Sequence, residues 1–262
     1  MENEIRRLVV KVGTSTLTYA TGNINFRRLS RLVEVLSDIS NSGVQIVLVS
    51  SGAIAVGVGK LGLAARPADI PGRQAAAAVG QNELMFLYDK LFSEYSKIPA
   101  QMLLTGNDMA DPERRAHLID TFEKLLEFGS IPIVNENDSV SVEEIVHGDN
   151  DCLSAEVAAM IGADALVILT DIDGLYDGNP RENPDAKRIG EVREITPEIE
   201  AMAGGAGSSR GTGGMMTKVN AAKIAGEAGV DTYVISGTPC DNLYAILDGK
   251  DIGTRFYGRS RT

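Results

Sequence analysis

The chain has 262 residues, 44% of them hydrophobic and 23% charged, an ordinary globular balance that excludes disorder and collagen-like repeats. No run approaches the roughly eighteen apolar residues of a membrane span, and the N-terminus enters a strand pattern without a signal-peptide core, so a cytoplasmic protein with no membrane partner is expected. The net charge is −11, and between Lys124 and Arg181 there is no Lys or Arg but twelve Asp or Glu. Phosphate backbones need clustered cations, so nucleic acid is excluded as a partner, and the surface suits a metal ion or a ligand bearing an ammonium group.

Apolar runs alternate with helical periods along the chain. Ile5–Val12 reads as a strand closing on Gly13. Asn25 caps a helix with its apolar face at Phe26, Leu29, Leu32, Val33, Leu36 and Ile39, ending at Gly43. Val44–Val49 lacks polar alternation, as a strand covered on both faces does. A long helix at Arg73–Tyr95, a strand at Ala100–Leu104, a helix near Arg114–Phe128 and a strand at Ile131–Val134 follow. The second half predicts a helix at Leu153–Ile161, a strand at Ala165–Leu169, a helix at Met215–Ala228, a strand at Asp231–Ile235, a short helix at Asn242–Leu247 and a last strand at Gly253–Phe256. Such alternation implies an α/β fold, a three-layer αβα sandwich around a mostly parallel central sheet. No linker divides the chain, so one domain over 1–262 is expected.

Ligands of open α/β sheets bind beyond the carboxyl ends of the strands, and those ends here are polar or glycine-rich. They carry Lys11-Val-Gly-Thr, Ser50-Ser-Gly-Ala, Asn135-Glu-Asn-Asp followed by Gly148-Asp-Asn-Asp, and Thr170-Asp171, while Gly211-Thr-Gly-Gly-Met-Met-Thr-Lys218 opens a later helix. Three glycine turns at one sheet edge are candidate phosphate cradles, with Lys11 and Lys218 supplying positive charge. Plainer roles stand beside these. Asp138 suits an Asx turn, Asp149 and Asp151 suit the cap of the helix near Leu153, and Thr170-Asp171 suits a simple strand exit. Gly57-Val-Gly-Lys-Leu-Gly62 matches a dinucleotide fingerprint but starts well past its strand, and GxxxxGK[ST] is absent from the chain. Cys152 and Cys240 lack metal or redox spacing and read as packing thiols, and His117 and His147 show no ligand pattern.

Taken together, KVGTSTLT at Lys11, SSGAIAVG at Ser50, VGQNELM at Val79, QMLLT at Gln101, IPIVNENDSV at Ile131, GDNDCLSA at Gly148, LTDIDGLYDGNP at Leu169 and GTGGMMTKVNAA at Gly211 resemble the amino acid kinase family. The NEND and GDND pair points within it to the branch that phosphorylates glutamate. The resemblance implies transfer of the ATP γ-phosphoryl to the side-chain carboxylate of L-glutamate with Mg²⁺, opening proline biosynthesis. It assigns Lys11 and Lys218 to the phosphates and the moving group, with Asp151 positioning both lysines. Ser51, Asp138 and Asn150 would hold glutamate, and Thr170, Asp171, Thr212, Gly213, Gly214, Met215, Met216, Thr217 and Lys218 would line the nucleotide. The N-terminal part would then carry mainly the glutamate site and the C-terminal part mainly the ATP site. Many members continue into a C-terminal accessory domain of the RNA-modification type, which this chain, stopping at Thr262, is expected to lack. A homo-oligomer and a hand-off of product to a glutamyl-phosphate reductase are further implications, and the metal ligands stay unassigned.

The chemistry agrees with the residue types. A glutamate side chain ordinarily titrates at about 4.3 and is already a nucleophile at neutral pH, so no general base is needed. A carboxylate such as Asp138 would pair with the α-ammonium of free glutamate, which N-acetylglutamate lacks. The alternatives are an acetylglutamate kinase-like or other amino acid kinase, and a non-catalytic amino-acid sensor.

Overall fold

Runs of Val, Ile and Leu too short for a helix and apolar on both faces become the central strands. The computed structural model describes residues 5–19, 21–141, 150–180, 182–205 and 214–259. The chain divides into two compact units, one formed by Val12–Asn150 and the other by Met1–Lys11 with Asp151–Thr262.

In the Val12–Asn150 unit, β2 (Gln45–Ser50), β4 (Ile131–Glu136) and β3 (Pro99–Leu104) lie side by side in that order, all parallel, with Leu48 opposite Ile133 and Met102 opposite Val134. Strand β4 runs two residues past the expected Val134. The added residues, Asn135 and Glu136, are buried, so their polar side chains read as a strand end in sequence. Helix α1 (Thr14–Leu17) precedes α2 (Phe26–Asn41), whose N-cap Asn25 accepts from the Arg28 N–H. The expected apolar face of α2 is buried except at Phe26, which is exposed because it opens the helix.

Helix α3 (Ala53–Lys60), not anticipated from the sequence, packs against α4 (Ile70–Ser93) at near-contact distance. A Cβ on Gly57 would stand 1.8 Å from the Ala76 carbonyl oxygen, and one on Gly80 would stand 1.8 Å from that of Ala53. The glycines of the fingerprint-like run therefore include a packing glycine. Helix α4 begins earlier than expected because Asp69 caps it through the Gly72 N–H. Helices α5 (Gly106–Ala110) and α6 (Pro112–Glu127) complete this part, capped by Thr105 and Asp111.

In the other unit, β1 (Arg7–Val12), β5 (Ala165–Thr170), β9 (Asp231–Ser236), β10 (Thr254–Phe256) and β8 (Glu191–Val192) follow in that order. Strands β5 and β9 are parallel, and β10 is antiparallel to β9. The Arg6 and Arg7 N–H groups both donate to Asp164 Oδ2 at 2.8 Å, fixing the entry of β1 beside β5. A small hairpin-like sheet, β6 (Leu175–Tyr176) with β7 (Arg188–Ile189), was not anticipated, because two-residue strands leave no periodic signal. Helix α7 (Asn150–Met160) begins three residues before the expected Leu153, so Asn150 and Asp151 lie in its first turn. Helices α8 (Pro197–Gly205), α9 (Met215–Glu227) and α10 (Asn242–Leu247) follow. None of the helices among the described residues is long and apolar enough to cross a membrane.

Candidate functional site

Two constellations emerge, one in each unit. In the first, Lys11 is carried on the buried strand β1, Asp151 on the first turn of α7 and Lys218 on the first turn of α9. Lys11 Nζ lies 2.6 Å from Asp151 Oδ1 and Lys218 Nζ lies 3.0 Å from Asp151 Oδ2. The Thr217 hydroxyl is 2.8 Å from the same Oδ2. These side chains are almost fully dry, 9% exposed for Lys11, 5% for Lys218 and 0% for Asp151. Burial works to raise the Asp151 carboxyl, but the two ammonium groups outweigh it and hold it at about 2.

The sum of these charges is one excess positive charge in a buried place. A lysine near a helix N-terminus also opposes the helix dipole, so Lys218 sits there against local electrostatics and depends on Asp151. The N-cap of α9 is Gly214, which brings no side chain to the N–H groups of the first turn, where Thr217 N–H donates to the Gly214 carbonyl at 3.2 Å. Excess positive charge beside open helix amides is suited to an anion. Met215 is buried there, and Met216 and Thr217 are half-buried. Thr170 and Asp171 stand at the end of β5, where the threonine hydroxyl donates to Asp171 Oδ1 at 3.2 Å; Thr170 is buried and Asp171 exposed. Thr212 and Gly213 lie outside the described residues.

The second constellation collects amides around Ser51. Asn150 Nδ2 lies 3.0 Å from Ser51 Oγ and 2.7 Å from Asn135 Oδ1, and Asn135 Nδ2 in turn donates to Gln81 Oε1 at 3.0 Å. Ser51 is followed by Gly52 at φ +104°, a left-handed turn that glycine adopts freely and that opens α3. The Ser50 hydroxyl is 2.8 Å from the buried Tyr88 hydroxyl on α4, which braces that turn from behind.

Asp138 is 5% exposed, and its Oδ1 has no hydrogen-bond partner among the described residues. Burial, and then the neighbouring Glu136 carboxylate, push its carboxyl up to about 7 against the opposing pull of Arg66. Asn150 is 1% exposed, and its Oδ1 likewise lacks a partner among the described residues. Two buried acceptors without donors are costly unless a ligand supplies N–H groups. A cleft of about 530 Å³ lies in this unit, lined among others by Thr105, Asp108, Arg114, Asn137 and Ser141. Asn137 links it in sequence to Asp138.

Of the residues the resemblance grouped as Ser51, Asp138 and Asn150, the structure brings Ser51 and Asn150 into contact, and it places Asp151 between Lys11 and Lys218; Gln81, Asn135 and Tyr88 were not anticipated. The missed signal was polarity inside a buried pattern: Gln81 falls on the α4 face of Ala77, Leu84 and Tyr88, all buried.

Among the described residues, no cluster of three or more His, Cys, Asp or Glu side chains forms a metal cage.

Comparison with known proteins agrees with this picture. The amino acid kinase family model matches residues 6–236. The chain is 54% identical to "Glutamate 5-kinase" of Clostridium perfringens over 258 residues, 97% of this chain and 96% of the relative. It is 52% identical to "Glutamate 5-kinase" of Carboxydothermus hydrogenoformans, covering 98% of this chain and 69% of that protein. The UMP kinase of Bacillus anthracis superposes with a TM-score of 0.65 at 16% identity, covering 98% of this chain and 97% of the other. That likeness bears out the expected three-layer α/β fold with a mostly parallel sheet. The chain belongs to the amino acid kinase family.

Proposed function

We propose that the chain carries out the glutamate 5-kinase reaction, moving the γ-phosphoryl of ATP onto the side-chain carboxylate of L-glutamate to give L-glutamyl 5-phosphate, the first step of proline biosynthesis. Kinship at about half identity along nearly the whole chain carries this reading, and the two constellations give it a physical basis. Lys11, Lys218 and the open N-terminus of α9 have the charge to hold phosphate oxygens and to offset charge on the moving group, which is most of what phosphoryl transfer requires. Asp151 holds both ammonium groups in place. Thr170, Asp171 and the run Gly214–Lys218 are assigned to the nucleotide, together with Thr212 and Gly213.

Ser51, Asp138 and Asn150 are assigned to glutamate. The orphaned oxygens of Asp138 and Asn150 suit its α-ammonium, whose N–H groups would satisfy both. The attacking carboxylate needs no base. Mg²⁺ would enter with the phosphates of the nucleotide and lower their charge. We read 1–262 as one kinase domain whose N-terminal part binds mainly glutamate and whose C-terminal part binds mainly ATP, working in the cytoplasm as a homo-oligomer. A glutamyl-phosphate reductase is the expected recipient of the product, because an acyl phosphate with a free amine in the same molecule cyclises.

The experiment is to supply Mg-ATP with and without L-glutamate and follow ADP and 5-oxoproline, the cyclised product. ADP release that depends on glutamate, with matching 5-oxoproline, is the expected result. ADP release indifferent to glutamate would refute the reading.

A further inference from the structure

We infer that Gln81 is a positioning residue for the amino-acid acceptor, setting through Asn135 which end of the Asn150 amide is left for the substrate. The inference rests on the reading of glutamate as acceptor and deepens it. Each carboxamide has a donating nitrogen and an accepting oxygen, so a chain of amides has a polarity. Gln81 Oε1 accepts from Asn135 Nδ2 at 3.0 Å. Asn135 Oδ1 is thereby turned toward Asn150 and accepts from its Nδ2 at 2.7 Å. The Asn150 nitrogen also meets Ser51 Oγ at 3.0 Å. The nitrogen end of Asn150 is therefore consumed inside the protein, and its oxygen is the end left over, buried and without a partner among the described residues.

A primary ammonium brings three donors and no acceptor, so it is matched by the oxygen end and mismatched by the nitrogen end. Were residue 81 a donor toward Asn135, the relay would be driven to reverse against the Asn150 nitrogen's bonds to Ser51 Oγ at 3.0 Å and the Ser50 carbonyl at 3.5 Å. Asn135 would then donate to Asn150 Oδ1, and an NH₂ group would be left for a cationic substrate. The close packing at Gly57 and Gly80 keeps α4 against α3, next in sequence to the Ser51-Gly52 turn, and so keeps Gln81 within reach of β4. Gln81 is itself half-buried, so a substitution there has room to fold.

The test compares the wild type with Gln81→Met, which removes the acceptor, and Gln81→Glu, which keeps it. Glutarate, which is glutamate without the ammonium, serves as a second acceptor. Gln81→Met is expected to raise KM for L-glutamate about tenfold while leaving kcat and KM for ATP within about twofold. Its preference for glutamate over glutarate should shrink by a similar factor. Gln81→Glu is expected to keep KM for glutamate within about twofold of wild type.

An unchanged KM in Gln81→Met, or equal impairment of both variants, would overturn the relay, and the Glu variant decides the matter if the Met variant does not fold. Wild-type protein without glutamate-dependent turnover would remove the functional reading and the relay together. Wild-type turnover with an indifferent Gln81→Met would remove the relay alone.

Discussion

Asp151 faces Lys218 at 3.0 Å with one carboxylate oxygen while the other holds Lys11 at 2.6 Å, so one buried acid anchors two cations drawn from distant parts of the chain. Removing the acid strands both cations in a dry environment, a change that costs about 3 kcal/mol when a buried pair is broken. Asp151→Asn is expected to lower the urea midpoint accordingly and to cut kcat at least about a hundredfold, since the lysines lose their fixed positions. Lys218→Ala should abolish transfer while the protein still melts cooperatively. Normal turnover in either variant would remove the cluster from the reaction.

The same acid gives the fold an acid limit. The Asp151 carboxyl is held at about 2, below its unfolded value near 3.8, so its stabilisation is complete above about pH 4 and is lost as pH falls toward 2. Denaturant melts between pH 5 and 2 should show this loss in the wild type and a reduced loss in Asp151→Asn.

Asp138 works in the opposite sense. Its folded value is raised to about 7 by burial and by Glu136, against Arg66. The native state therefore holds a proton between about pH 4 and 7 that the unfolded chain has released, and this contribution to stability declines as pH rises across that window. Only the ionised form pairs with an ammonium, so KM for L-glutamate should fall as pH rises, by about tenfold between pH 6 and 8. Asp138→Asn should raise KM and flatten that dependence. A steep dependence surviving in Asp138→Asn would assign the titration to another group.

Close packing of α3 against α4 makes a further demand. A methyl at Gly80 would meet the Ala53 carbonyl oxygen at 1.8 Å, which is backbone and cannot swing aside. Gly80→Ala is expected to cost roughly 2–3 kcal/mol and to lower Tm by roughly 5–10 °C. Because Ala53 follows the Ser51-Gly52 turn directly, KM for glutamate should rise more than KM for ATP. An equal rise in both would mean that the strain does not reach that turn.

The strands and long helices were legible because their periods are long and their caps conventional, as with Asn25 ahead of α2. Lys11 stood out at a strand end and Lys218 in a glycine-rich loop that opens a helix, whereas the role expected of Asp151 came from the family resemblance. What stayed hidden was set by packing across the chain. Helix α7 opens with two polar residues, Asn150 and Asp151, ahead of the apolar run that starts at Leu153, and α3 is built of alanine, isoleucine, valine and glycine up to its last residue Lys60, a pattern with no polar face. Gln81 showed in sequence only as a polar residue on a buried helix face, and its partner Asn135 lies fifty-four positions away. No periodicity encodes such a bond.

The most direct test of the central claim is to incubate the protein with Mg-ATP and hydroxylamine, offering L-glutamate and N-acetylglutamate in separate reactions, and to measure ADP and hydroxamate. Hydroxamate with L-glutamate and none with the acetylated compound is the predicted result, since acetylation removes the ammonium proposed to pair with the buried oxygens of Asp138 and Asn150. Hydroxamate only with N-acetylglutamate, or none with either in a folded protein, would contradict it.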